Sequence, residues 1–174
     1  MKKIVRKYES VMHGPYQKMS VKYGIATGVI MSLVLLIRFL VKMPADSPLS
    51  MVDNIALLAC MIAAGVHYKT KLEDNKITFK ELFLLTFYSA CIASVVYGVF
   101  MYFYARSIDT QMSVRCMQKL MNIPEYSSYT KEQFESMSGY SALAMQAVVF
   151  NIVMGILWAF VSGIILRNEK SSVK

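Results

Sequence analysis

A chain of 174 residues that is 56% hydrophobic and only 17% charged is too apolar for an ordinary soluble domain. Its formal net charge of +8 could suit nucleic acid, but the basic residues flank apolar runs and form no basic groove with stacking aromatics, so no nucleic-acid partner is expected. Three cysteines, Cys60, Cys91 and Cys116, are odd in number and widely spread, and no disulfide framework follows from them.

The first residues, with Lys2, Lys3, Arg6 and Lys7, resemble the start of a signal peptide. The apolar run behind them is longer than a usual signal core, and "KMPADSPLSM" offers no small-residue cleavage site, so an uncleaved first helix is expected. That run is "YGIATGVIMSLVLLIRFLV", 23–41. The second, "MVDNIALLACMIAAGVHY", covers 51–68 and is the weakest, because Asp53 and Asn54 fall in its opening turn. The third is "LFLLTFYSACIASVVYGVFMYFYA", 82–105, and the fourth "ALAMQAVVFNIVMGILWAFVSGIIL", 142–166. At a helical rise of 1.5 Å per residue the four runs reach roughly 27 to 37 Å, enough for a hydrocarbon core of about 30 Å.

Such long, continuous runs do not alternate as barrel strands do, and a backbone in lipid must satisfy its own hydrogen bonds. The expected fold is therefore all-α, a polytopic membrane protein forming one integral domain over 1–174. Four transmembrane helices would form a bundle, with an extracytoplasmic segment over 106–141. Lys18 and Lys22 precede the first run, Lys69, Lys71, Lys76 and Lys80 separate the second from the third, and Arg167, Lys170 and Lys174 follow the fourth. The first link has only Lys42, balanced by Asp46, and the basic residues of 106–141 are diluted by acids. Both termini and the middle loop are accordingly expected in the cytoplasm, with membrane lipid as a partner.

Within 106–141, "MSVRCMQKLMNI" at 112–123 packs methionines and a cysteine closely together. On a helix, Met112, Val114, Cys116, Met117, Leu120 and Met121 fill an arc of roughly 200 degrees, opposite Arg115, Gln118 and Lys119. That pattern predicts an amphipathic helix lying in the outer interface or capping the bundle between helices three and four. The sulfurs diverge around the helix, so one soft metal ion could not gather them, and no metal site is expected. A second short helix should begin at about Lys131. His13, in "HGP", reads as part of a turn and His67 as an amphipathic tip at the membrane boundary; neither has ligand spacing. The aromatics of "YGVFMYFYA" read as an interfacial belt.

Helices in lipid associate through small residues and polar contacts. Each run has a ladder of such residues four apart: Gly24, Gly28, Ser32; Ala56, Cys60, Ala64; Ala90, Ser94, Gly98; and the longest, Ala147, Asn151, Gly155, Ala159, Gly163. The ladders serve either packing within the chain or, for the fourth, a face for a second protein. Asn151 should find a hydrogen-bond partner on a neighbouring helix. Arg38 and Asp53 are the two intramembrane ionisable residues, and an ion pair between them would fix helices one and two.

"VKYGIATGVI", "KITFKELFLLTFYSA", "YARSIDT" and "YTKEQFESM" occur in that order, with Gly24, Gly28, Phe79, Ile108 and Asp109 as the recurring residues. Together they resemble a family of small bacterial four-helix inner-membrane proteins described as a domain of unknown function, type 4199. The chain departs from that pattern at Thr110, where proline would follow Asp109, and in "EDNKITF", which lacks a glycine-rich approach to Phe79. The resemblance implies four spans with both ends inside, and no catalytic residues.

No nucleophile elbow, zinc motif, phosphate loop or acidic metal cluster is present, so neither a catalytic residue nor a cofactor is expected. The expected role is a non-enzymatic accessory or structural subunit, packing as a homo-oligomer or with another membrane protein. The alternative is a small transporter or channel component acting as an oligomer.

Overall fold

A computed structural model describes residues 15–43, 51–71 and 77–166. His13, Asp46, the basic residues ahead of Pro15 and those after Leu166 lie outside the described residues. Among the described residues the elements are helical and no strand occurs. The order is α1 Pro15–Leu40, α2 Met51–Thr70, α3 Phe79–Phe103, a π-helical continuation Tyr104–Ile108, α4 Met112–Met121, a 3-10 turn Pro124–Tyr126, α5 Lys131–Ser138 and α6 Tyr140–Leu166.

Three helical stretches are long and apolar enough to cross a membrane: Tyr16–Leu40, Phe79–Ile108 and Tyr140–Leu166. The arrangement is consistent with a multi-pass membrane protein. α2 is shorter, with Asp53 in its first turn and His67 and Lys69 in its last, and these polar ends set it apart from the other three. α1 starts at Pro15, well ahead of the first apolar run, because proline's fixed φ and missing N–H suit a first helical position. It stops at Lys42, whose φ of 61° is left-handed. There Met43 N–H donates to the Arg38 carbonyl at 2.8 Å and Lys42 N–H to that of Phe39 at 3.0 Å, the paired bonds of a Schellman ending.

α3 is the central element, packing most extensively against α1 on one side and α6 on the other. Both contacts depend on glycine. A Cβ on Gly24 would sit 2.6 Å from Ile92 Cβ, and one on Gly28 would sit 2.7 Å from Val96 Cβ. On the opposite side a Cβ on Gly155 would meet Ala90 Cβ at 2.6 Å, one on Gly163 would meet the Phe79 ring, and one on Gly98 would collide with Val148. The two backbones can approach α3 this closely only because these positions lack side chains, which is how lipid-embedded helices gain contact. Ser32, Thr86, Ser89 and Ser94 satisfy their hydroxyls on carbonyls one turn back in their own helices. Ser20 also reaches across to the Leu85 carbonyl at 3.1 Å.

The buried side of α1 runs Ser20, Gly24, Thr27, Gly28, Met31, Ser32, Leu35, Arg38, one helical stripe. α2 contributes Leu57, Met61, Ala64, Gly65 and Tyr68 in the same way. At its far end Lys69 Nζ donates to the Leu166 carbonyl at 3.3 Å, covering an otherwise open acceptor of α6. α4 and α5 pack at the opposite end of the long helices. Ser113 Oγ donates to the Ser138 carbonyl at 2.7 Å, and Gln146 Nε2 donates to that of Met137 at 3.1 Å.

Candidate functional site: a polar pocket between α2, α3 and α6

The first turn of α2 puts Asp53 and Asn54 on its inward side, where a carboxylate also complements the helix dipole. Arg38 occupies the last turn of α1, the favourable end for a cation, and its Nη1 donates to Asp53 Oδ2 at 2.7 Å. Tyr97 of α3 donates its hydroxyl to the same Oδ2 at 3.3 Å. The other carboxylate oxygen, Asp53 Oδ1, and the side-chain oxygen of Asn54 are buried without a hydrogen-bond partner. Both residues line a cavity of about 140 Å³ together with Tyr97, Met101, Ala147, Phe150 and Asn151.

Asn151, 4% exposed, is brought to this cavity by α6. It lies eleven positions after Tyr140, so about 16 Å along the helix at 1.5 Å per residue. Asp53, in the opening turn of α2, therefore lies level with the middle of α6. Measured along its own helix alone, it would have been placed at a shallow level. Asn54 and Tyr97 were not singled out by sequence reasoning. The signal for Asn54 is its place beside Asp53 at the start of the buried stripe of α2. Tyr97 belongs to the stretch whose pattern reads as an interfacial belt, yet it is 4% exposed and Tyr104 is fully buried, while Phe103 in the same stretch does face outward.

A second polar constellation sits where the π-helical continuation ends. Arg115 grips Asp109 with both terminal nitrogens, Nη2 to Oδ2 at 2.6 Å and Nη1 to Oδ1 at 3.1 Å, a fork-to-fork pair. The Tyr104 hydroxyl donates to Asp109 Oδ2 at 3.4 Å from within the apolar core. This clasp folds α4 back toward the long helices, so Met112 is buried in the core and Cys116 packs half-buried against it. Met117 and Leu120 are half-buried and Met121 is exposed, so the methionine-rich helix acts as a cap.

The small-residue positions Gly24 and Gly28 face α3, and Asn151, Gly155, Ala159 and Gly163 are buried within the chain, with Ala147 half-buried. His67 is exposed, its ring edge-on to Tyr23 at 5.7 Å between centroids. Among the described residues no group of three or more His, Cys, Asp or Glu side chains is placed to hold a metal ion.

Residues 22–168 match the family described as a protein of unknown function, DUF4199. The chain belongs to that family. Comparison with curated proteins and with solved structures finds no match. The pocket, the Asp109–Arg115 clasp and the glycine contacts of α3 all fall inside the DUF4199 region.

Proposed function

We propose that this DUF4199 protein crosses the bacterial cytoplasmic membrane four times, as a helical bundle with both ends inside, and that it serves as a non-enzymatic accessory or structural subunit. α2 would be the fourth crossing. Twenty residues give it about 30 Å, its apolar stripe is buried against α1, α3 and α6, and its one acid is paired with Arg38. Lys18, Lys22, Lys69, Lys71 and Lys80 all lie toward the end of the helices opposite α4, the asymmetry of an inward-facing side.

The observation that carries the subunit role is the outer face of α6. α6 is the least buried of the three long helices, and its small residues are already used within the chain. Met145, Val149, Val153 and Leu157 repeat every fourth residue along the free side. Met145, Val149 and Val153 border an apolar cleft of about 700 Å³ beside Ser136 and Met137 of α5. A shaped cleft offers side-chain packing that a featureless lipid-facing helix does not. Size measurement in mild detergent should find a homo-oligomer or a stoichiometric membrane-protein partner, lost when Val149→Trp fills the cleft. A wild-type monomer with no partner overturns the role. Sidedness has its own test: an impermeant maleimide should label Gln118→Cys in intact cells but Lys80→Cys only after lysis, and the reverse pattern overturns the orientation.

The buried polar pocket favours a second reading, a small transporter or channel component acting as an oligomer. Reproducible solute flux in reconstituted vesicles would put this reading first.

A further inference from the structure

Resting on the subunit reading, we infer that the partner at the outer face of α6 is a second copy of this chain. The two copies pair in parallel along a seam of Gln146, Val149, Val153, Ile156 and Phe160. These residues follow one another at spacings of three, four, three and four, the repeat that brings two helices together along one line. At 100° per residue they span roughly 80°, in the middle of an exposed arc of roughly 140° that runs from Met145 to Phe150. The four apolar members are each 43–53% exposed, so the rest of the chain leaves the stripe open. A repeat of 3.5 residues drifts around a helix of 3.6 per turn, and two such helices cross with a left-handed twist, the common hand in membranes.

Gln146 selects a second copy over lipid or an unlike protein. After Ser141 it is the only polar residue on the exposed side of α6. The helix has 27 residues and reaches roughly 40 Å, so it overhangs a hydrocarbon core of about 30 Å by roughly 5 Å at each end. Gln146 lies six positions after Tyr140, roughly 9 Å along, which puts it inside the hydrocarbon. Its Nε2 donates to the Met137 carbonyl at 3.1 Å, while its Oε1 and second N–H have no partner among the described residues. Lipid tails offer neither donor nor acceptor, so leaving these groups against them is costly. A carboxamide is donor and acceptor at once, and the same residue on a two-fold-related copy completes both bonds. All copies enter the membrane the same way round, so their α6 helices run parallel and Gln146 meets Gln146. The stripe carries no charge that would call for an oppositely charged partner. Met145 and Phe150 flank the seam and, with Met137 of α5, line a cleft that receives side chains of the facing helix.

The test uses the full chain with Cys60, Cys91 and Cys116 replaced by alanine and one new cysteine introduced at a time, oxidised in native membranes. A parallel two-fold seam puts like residues together. Val149→Cys, Val153→Cys and Ile156→Cys should therefore form disulfide-linked homodimers about tenfold faster than Val95→Cys on the exposed side of α3. The wild-type chain, its cysteines intact, should have twice the monomer mass when sized in mild detergent. Gln146→Leu should weaken that dimer about threefold or more, and Ile156→Trp, which overfills the seam, should dissociate it. Unchanged unfolding midpoints show that the variants fold. Equal disulfide yields at Val95 and along α6, or a Gln146→Leu dimer as tight as wild type, overturn the seam. A one-to-one complex with an unlike protein overturns the second copy and leaves the subunit reading standing, whereas a wild-type monomer with no partner overturns both.

Discussion

Arg38 and Asp53 meet at 2.7 Å with side chains only 5% and 10% exposed, joining the last turn of α1 to the first turn of α2. Each charge sits at the helix end whose dipole favours it. The pair locks two helices together, and Asp53, its acidic member, also lines the pocket.

Removing one partner strands the other charge in an apolar site, so Arg38→Met and Asp53→Leu should each destabilise by about 3–5 kcal/mol. The double variant should lose much less than the sum, because no lone charge remains. The swapped pair, Arg38→Asp with Asp53→Arg, should recover only part of the loss, since both charges then oppose the helix dipoles. Unfolding midpoints in detergent measure all four. Additive losses would show that the two residues are uncoupled.

Gly28→Val should destabilise by about 1–3 kcal/mol or more, as expected for overpacking. Its Cβ would stand 2.7 Å from Val96 Cβ and 3.0 Å from the Ala93 carbonyl oxygen, and a backbone oxygen of α3 cannot move aside alone. Val29→Leu, on the exposed side of the same helix, should stay within about 0.5 kcal/mol of wild type. Equal midpoints for the two variants would contradict the close α1–α3 contact.

Much of this was legible in the residues, and what was hidden has a common cause. The long helices follow from apolar runs at spanning length, and the small-residue spacing marks the faces that α1 and α6 turn to α3. Arg38 and Asp53 stand out because charges inside apolar runs need partners. The ladder on α6 left two uses open, within the chain or toward a partner, and only the helix arrangement shows where Gly155 and Gly163 lie. Depth was the other hidden quantity. Asp53 looks shallow along α2, but α6 extends past the start of α2, so its neighbour Asn151 lies mid-helix. Tyr97 and Tyr104 share a stretch with outward-facing Phe103, and which ring turns inward depends on helix rotation, which a nearly uniform apolar pattern does not encode. In the sequence Asp109 stands out only as a recurring residue of the family pattern; its role as the anchor of Arg115 depends on the fold of α4.

The Asp109–Arg115 clasp should be sensitive to geometry as well as charge. Arg115→Lys keeps the charge but replaces a two-pronged donor by a point charge, so it should still lose about 1–2 kcal/mol. Asp109→Asn should lose a similar amount, since the Tyr104 hydroxyl also depends on that carboxylate. Proteolysis and amide exchange over 106–121 report the local opening. Normal protection in Arg115→Lys would mean that charge alone holds α4 down.

α5 has only eight residues and depends on its start. The Thr130 hydroxyl oxygen accepts from Gln133 N–H at 3.4 Å while Gln133 Oε1 accepts from Thr130 N–H at 2.8 Å, a reciprocal cap. Thr130→Ala should cost about 1 kcal/mol, within the usual 0.5–2 range. Glu132, exposed in the same turn, has its carboxyl held below the ordinary carboxylate value by its own backbone N–H and then by the Thr130 hydroxyl. A depressed folded-state value means that ionised Glu132 stabilises the turn above the unfolded-state pKa, and that this contribution is lost as pH falls through the folded one. Amide exchange of 131–138 should therefore lose protection on acidification, after correction for intrinsic rates, and Glu132→Gln should flatten that dependence. Thr130→Ala should weaken it as well, because the hydroxyl that favours the carboxylate is gone. A pH profile for Glu132→Gln that matches wild type would assign the acid sensitivity of α5 to some other group.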